Sequence, residues 1–244
     1  MLSMLGRRWP KRNAGSGDAP LRVALVTNMP VPYRIPVLRL LAARPDIELT
    51  VFYCSGREPD RQWSVDVLQA AGASESSDPD RGVAVDATTA ERSPRIVYLP
   101  ERFITWRGRY IHFNPGLRSQ LRALDPHVVV TTGFNPTHLV AFAWACLLGA
   151  HHVAMTDGTL ISERELSFAH RLVRRIVYAR SAAFVGPSEG SFALLRSYGV
   201  DERAMFKSHL CADNAAFERE PQPPEDERID LLFCGRFVDV KNPM

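Results

Sequence analysis

The sequence predicts an α/β protein built on a doubly wound, Rossmann-like parallel sheet. Short apolar runs alternate along the chain with segments whose apolar residues recur at helical spacing, which is typical of βαβ units. The first run, residues 23–26, contains β-branched residues and ends in the turn Thr27-Asn28-Met29-Pro30, which favours a buried parallel strand. Pro36 then suits the first turn of a helix. Right-handed crossovers are expected throughout.

The same patterns predict the other elements in chain order. Residues 101–115 lack a clear period and are expected to form an aromatic and basic loop. Ser162 and Glu165 match a capping box at the start of one helix. Further strands are predicted at residues 47–54, 95–99, 127–132, 151–156, 182–185 and 205–210, and helices at residues 36–43, 115–124, 137–148, 162–178 and 188–198.

Composition divides the chain into segments. Residues 1–20 are expected to be a disordered basic tail, and residues 21–217 the main domain. Within it, residues 55–93 lose all periodicity and are rich in Ser, Asp, Ala and Gly, which indicates a long loop or insertion. Residues 218–228 are charged and rich in proline, as in an interdomain linker, and residues 229–234 form another apolar strand.

Charge and cysteine content exclude several classes. The net charge of +3 belongs to the tail, which holds four basic residues and one acidic residue, so the rest of the 244 residues is balanced and no nucleic-acid partner is expected. The spacing of the four cysteines fits neither a metal site nor a disulfide framework, so no bound metal is expected. The cysteines are expected to be buried free thiols. No signal peptide or span of 18 apolar residues is present, which predicts a cytoplasmic protein.

Candidate site residues follow the predicted strands, because ligands of open α/β sheets bind beyond the carboxyl ends of the strands. In the loop after the first strand, Asn28, Tyr33 and Arg34 are candidates by position, with an aromatic ring at Tyr33 and a cation at Arg34. The alternative is that Tyr33 and Arg34 only cap the first helix. Asp157 after the fifth strand can accept hydrogen bonds or act as a base, or simply form an Asp-Gly turn.

Four segments resemble one known family: V-T-N-M-P-V-P-Y-R-I-P, M-T-D-G, V-G-P-S-E-G-S-F-A-L-L-R-S-Y-G-V and the terminal L-L-F-C-G-R-F-V-D-V-K-N-P. Together they resemble the retaining nucleotide-sugar glycosyltransferases of family 4, which have the two-domain GT-B architecture. The resemblance implies that Arg236 and Lys241 hold the donor diphosphate. Physical chemistry agrees, since Gly235 permits close backbone approach and two cations can offset the charge of the leaving group without a metal.

In such enzymes the amino-terminal domain holds the acceptor, which the resemblance assigns here to Asn28, Tyr33, Arg34, Asp157, Gly133 and Asn135. The loop of Gly133 and Asn135 lacks the histidine that many members carry, so the catalytic residue stays unknown; His138 is expected inside the following helix and is not substituted for it. Ser188 and Glu189 are donor-side candidates, with Ser188 as a plain N-cap the alternative.

The resemblance implies sugar transfer from a nucleotide-sugar donor to a glycan or lipid-linked acceptor, as in bacterial-type surface polysaccharide synthesis, with no cofactor. Residues 229–244 would then open a truncated donor-binding domain, and we expect no transfer by these residues alone. The basic helix at residues 162–178 either packs on the sheet or contacts the inner face of an anionic membrane. The alternatives are a non-catalytic Rossmann-like binding module and a GT-B relative such as a sugar-nucleotide epimerase or a phosphorylase.

Overall fold

The computed structural model describes residues 19–56, 93–100, 102–106, 109–164 and 166–211. The chain divides into two units, Met1–Ala212 and Asp213–Met244, and every described residue belongs to the first. The predicted linker at residues 218–228, the strand at residues 229–234 and the candidates Gly235, Arg236 and Lys241 lie outside the described residues, as do most of the tail and of the insertion at residues 55–93. Those expectations stay predictions.

The described residues form a seven-stranded parallel sheet flanked by helices on both faces, as the sequence predicts. The sheet strands are β1 (Leu21–Thr27), β2 (Ile47–Tyr53), β3 (Arg95–Tyr98), β6 (Val128–Thr131), β7 (His151–Met155), β8 (Ala183–Gly186) and β9 (Met205–Lys207), and a separate hairpin contains β4 (Phe103–Trp106) and β5 (Arg109–His112). The helices are α1 (Ile35–Ala42), α2 (Leu117–Leu124), α3 (Pro136–Leu148), α4 (Leu160–Arg164), α5 (Phe168–Arg180) and α6 (Glu189–Ser197).

The strand order is β3-β2-β1-β6-β7-β8-β9. Strands β2 and β3 therefore extend the sheet on one side of β1. The chain then crosses to the other side of β1, where β6 to β9 follow in sequence order. β1 pairs with both β2 and β6, in register Val23 with Leu49 and Val23 with Val128. This reversal is the topological switch point of a doubly wound sheet, and it places the loops after β1 and β6 side by side.

The core lies on both faces of β1, whose side chains alternate between them. Val23 and Leu25 pack against Leu38 of α1, whereas Ala24 and Val26 pack in a second cluster with residues of α2 and α3. A third cluster joins β7 and β8 to α5 and α6 through residues such as Tyr178 and Phe184. These clusters fix the strand ends that carry the candidate site.

Two sequence predictions are wrong in detail. The region predicted as a loop at residues 101–115 contains the hairpin of β4 and β5. The single helix predicted from Ser162 is two helices: α4 begins at Leu160, and Ser167 occupies the N-cap of α5. The Ser162 hydroxyl instead donates to the carbonyl of Thr159, so it closes a local turn rather than a capping box.

Two further expectations concern burial. Cys54 is a buried thiol as predicted, but Cys146 and Cys211 are exposed, and Cys234 lies outside the described residues. Residues 137–148 are nearly all apolar, which predicts a buried helix, but α3 is buried on one face only: His138 is inaccessible, whereas Leu147 on the outer face is 73% exposed. Apolar residues occur on both faces of this helix, so the sequence alone does not distinguish the buried face from the exposed one.

Candidate functional site

The candidate site begins where β1 and β6 end together. The Asn135 amide donates to Asn28 Oδ1 at 3.2 Å, and the Thr132 hydroxyl donates to Thr27 Oγ1 at 3.0 Å. Each pair joins the loop after β1 to the loop after β6 across the switch point. The sequence candidates Asn28 and Asn135 therefore share one polar surface at the carboxyl edge, and the two threonines are additional members that the sequence reading did not single out.

Asn135 explains why this surface is available to a ligand. It occupies the N-cap of α3 in extended backbone geometry, but its side chain makes no capping hydrogen bond. Pro136 follows at the first helical position and has no N–H to satisfy. The Asn135 amide is consequently directed to Asn28 across the crevice, where polar groups can recognise sugar hydroxyls.

Gly133 lies directly over a buried histidine. A Cβ at Gly133 would stand 3.3 Å from His138 Cε1, closer than most real contacts of this kind. His138 lies inside α3 as expected, and neither ring nitrogen has a hydrogen-bond partner of ordinary geometry among the described residues. Burial, with His112 and His152 nearby, lowers the pKa of His138 to about 3, so its ring is neutral at physiological pH.

Arg34 and Asp157 line one small pocket at this edge. The pocket has a volume of about 40 Å³ and is also lined by Thr132, directly after β6, and Thr156, directly after β7. Arg34 closes a short 3-10 helix, Pro32–Arg34, directly before α1, and its Nε is buried without a hydrogen-bond partner among the described residues. Arg34 and Asp157 thus approach the same small pocket from the loops after two separate strands.

Tyr33 lies on the other side of Arg34. Its ring is exposed, and with Arg34 it borders a second groove of about 530 Å³ on the α1 face of the sheet. Apolar side chains of β6, β7 and β8, including Val130 and Val153, form the floor of this groove. Tyr33 is therefore placed beside the crevice rather than inside the small pocket.

A buried ion pair supports the loop that carries Asp157. Glu163 of α4 pairs with Arg174 of α5 and accepts a hydrogen bond from the Tyr198 hydroxyl. The Arg174 guanidinium also lies 4.7 Å from the ring centre of Phe134, in the loop after β6. The pair therefore ties α4, α5 and the end of α6 to the site loops.

The turn after β7 depends on this support. The Gly158 N–H donates to Thr156 Oγ1 at 3.2 Å, and a Cβ at Gly158 would stand 3.1 Å from Leu194 Cδ2 and 3.7 Å from Arg174 Nη1. A methyl group at this position would therefore need the Leu194 side chain to shift by a few tenths of an ångström. Asp157 is exposed on top of it, available to solvent and to a ligand.

Ser188 and Glu189 stand at the end of β8. The Ser188 hydroxyl accepts from the Ser191 N–H at 3.3 Å, so Ser188 is the N-cap of α6. The Glu189 carboxylate pairs with Lys207 of β9, whose hydrogen bond lowers the pKa of Glu189. These contacts give Ser188 a helix-capping role and Glu189 an ion pair. A donor-side role for the two residues stays a prediction.

The described residues contain neither a metal-ligand cluster nor a membrane-spanning helix. No group of three His, Cys, Asp or Glu side chains is placed to hold a metal ion within the part of the chain that the structure describes. No helix in those same ranges is long and apolar enough to cross a membrane.

Comparison with known proteins gives the family and the fold. The model of Glycosyltransferase Family 4 matches residues 38–205, and no curated protein matches the sequence. A structure described as a UDP-N-acetylglucosamine 2-epimerase from Listeria monocytogenes is similar with a TM-score of 0.51 and 15% identity, over 77% of this chain and 45% of that one. Another UDP-N-acetylglucosamine 2-epimerase gives a TM-score of 0.50 and 17% identity, over 78% and 48%.

The chain thus spans about half the length of these solved structures. At such low identity the similarity shows the fold, a Rossmann-like α/β domain of the GT-B type. The family match covers more than half of the chain, from within α1 to the start of β9, and includes β6 and the supporting ion pair, whereas β1 and its loop precede it. The chain belongs to glycosyltransferase family 4.

Proposed function

We propose that the protein acts in the transfer of a sugar from a nucleotide-sugar donor to a glycan or lipid-linked acceptor, with retention at the anomeric carbon, in the synthesis of a surface polysaccharide. The observation that carries the proposal is the joined edge of β1 and β6. There the amides of Asn28 and Asn135 are hydrogen-bonded across the switch point, beside a pocket that Arg34 and Asp157 share.

On this proposal the described domain holds the acceptor. The two asparagines offer donors and acceptors to sugar hydroxyls, and Gly133 keeps backbone close to the ligand. Arg34 binds an anionic group such as a lipid-linked diphosphate, while Tyr33 at the rim stacks on a sugar ring. Asp157 accepts from an acceptor hydroxyl.

The donor half rests on sequence alone. We assign the donor diphosphate to Arg236 and Lys241, with Gly235 directly before the arginine. Ser188 and Glu189 are assigned to the donor side. Two cations can stabilise the departing nucleoside diphosphate without a metal. We place the reaction on the cytoplasmic side, with the protein in peripheral contact with the inner face of the membrane.

The acceptor side is tested by direct binding, because binding does not require turnover. A water-soluble, short-chain prenyl diphosphate-linked sugar is titrated into the 244-residue chain by calorimetry, and into the variants Arg34→Gln and Asn135→Ala. We expect Arg34→Gln to weaken binding by about tenfold or more, since hydrogen bonds to charged groups contribute about 1.5 to 3 kcal/mol. Asn135→Ala should cost about fivefold.

Gln120→Ala is the matched control, because Gln120 is an exposed amide on α2. The proposal fails if both site variants bind as the parent chain does, or if Gln120→Ala loses as much affinity. Incubation of the 244 residues with labelled nucleotide sugars tests the expected inactivity separately: label appearing in the lipid phase would show transfer by these residues alone, contrary to that expectation, and an epimerised nucleotide sugar with no transfer would indicate the epimerase alternative.

A further inference from the structure

The α4–α5 face is an exposed surface that the sugar site does not use. It comprises Leu160, Arg164, Phe168, Arg171, Leu172 and Arg175. Phe168 is 81% exposed and Leu160 is 44% exposed, although both are large apolar side chains. Such residues exposed together indicate an interaction surface.

The face exists because the helix predicted at residues 162–178 is broken. Val177 and Tyr178 bury one edge of α5 in the core, whereas Phe168 and Leu172 are turned away from it. Had a single helix packed its whole apolar stripe on the sheet, these side chains would be covered. The break between α4 and α5 instead leaves an apolar ridge at the surface.

Positive charge surrounds this ridge. Arg164, Arg171 and Arg175 line a groove of about 810 Å³ together with Phe168 and Leu172. Helix α5 contains four arginines and no acidic residue. The Glu163 carboxylate also borders the groove, but it is already paired with Arg174 and bound by Tyr198.

We propose that the α4–α5 face docks on an anionic phospholipid bilayer. The apolar side chains of Phe168 and Leu160 enter the headgroup region, and the arginines contact lipid phosphates, as in amphipathic helices that lie in a membrane interface. A second copy of the chain is disfavoured as the occupant, because a symmetric dimer through this face would bring the arginines of both copies together.

Docking there has a consequence for the site. Helix α4 starts two residues after Gly158, at the edge where Asp157 and Arg34 line the small pocket. A bilayer on the α4–α5 face would therefore lie beside the edge that we assign to a lipid-linked acceptor. The docking specifies the face that makes the peripheral membrane contact of the proposed function, and the placement beside the acceptor rests on that function.

Vesicle flotation of the 244-residue chain tests the docking without sugar or nucleotide. Vesicles of phosphatidylcholine alone are compared with an equal mixture of phosphatidylcholine and phosphatidylglycerol. We expect binding to the anionic vesicles that weakens as sodium chloride is added. Arg171→Gln with Arg175→Gln should weaken binding by about 25-fold, since each basic residue near such a surface is worth about fivefold. Phe168→Ser should weaken it by about tenfold or more.

Leu147→Ser and Arg122→Gln are matched controls, because both side chains are exposed on other helices. They should bind within about twofold of the parent chain, and circular dichroism should show every variant folded. The proposal is overturned by absent flotation, by equal binding to neutral vesicles, by equal losses in the controls, or by a dimer that Phe168→Ser dissociates. Acceptor binding in the calorimetric test can fail while flotation succeeds, so the two proposals fail separately.

Discussion

Acid should destabilise this fold in a mild pH range, through two buried histidines. His152 of β7 contacts Thr131 Oγ1 at 3.0 Å and Ser181 Oγ at 2.8 Å. Because the Ser181 hydroxyl donates to the Val177 carbonyl, it accepts from His152 Nδ1, which leaves Nε2 to accept from Thr131. Burial lowers the pKa of His152 to about 4, and burial with the neighbouring histidines lowers that of His138 to about 3.

The direction of the effect follows from these values. The ordinary pKa is 6.5, so the unfolded chain binds protons more readily than the folded chain. Stability is complete above the ordinary value and falls as the pH decreases towards the folded values. Between about pH 7.5 and about pH 5, each histidine removes about 2 kcal/mol from the free energy of unfolding, or about 4 kcal/mol together.

Urea unfolding at the two pH values measures the decrease. In each of His152→Gln and His138→Leu, the loss of unfolding free energy between the two pH values should be smaller than in the parent chain by about 2 kcal/mol, whatever the variant's stability at neutral pH. His170→Gln is the control, because His170 is exposed on α5, and it should leave the decrease unchanged. If the parent chain is equally stable at both pH values, or if both buried-site variants keep the full decrease, the reasoning about neutral buried histidines is refuted.

Two substitutions test the packing around the site. Glu163→Gln leaves the Arg174 guanidinium without its carboxylate partner and should lower the unfolding free energy by about 3 kcal/mol in urea titrations; an unchanged midpoint would show that the pair supports nothing. Gly133→Ala places a methyl against the His138 ring and should cost about 1 kcal/mol in thermal melts, whereas Gly56→Ala, with open space around it, should cost less. Equal melting temperatures for the two alanine variants would contradict the close packing.

The fold could be predicted because periodicity and turn chemistry agreed in every sheet strand. The sequence predicts both the strand that ends at Thr27 and the strand before Gly133, and parallel pairing then brings their carboxyl ends to the same edge. That geometry is why Asn28 and Asn135, far apart in sequence, were both candidates before their contact was seen. The hairpin from Phe103 to His112 was missed because its two four-residue strands show no clear alternation.

The supporting ion pair could not be predicted from sequence. Glu163 and Arg174 are eleven residues apart, a spacing that places no two side chains together on one helix. They meet only because α4 ends and α5 restarts at a new angle, and the capping pattern at Ser162 pointed to an unbroken helix instead. Long-range pairs of this kind depend on tertiary packing, which local patterns do not contain.

The charge at the carboxyl edge of the sheet indicates how acceptor binding and donor binding would be divided between the two parts of the chain. Its polar groups are amides and hydroxyls already hydrogen-bonded to one another, such as Asn28 with Asn135, and the small pocket adds one guanidinium and one carboxylate. Such a set recognises hydroxyls and a single anionic group, but one arginine offsets little of a leaving diphosphate. On the proposed function, further cations must come from the donor side, which is the role assigned to Arg236 and Lys241. A variant lacking either should therefore lose donor affinity and keep acceptor affinity, while Arg34→Gln should do the reverse.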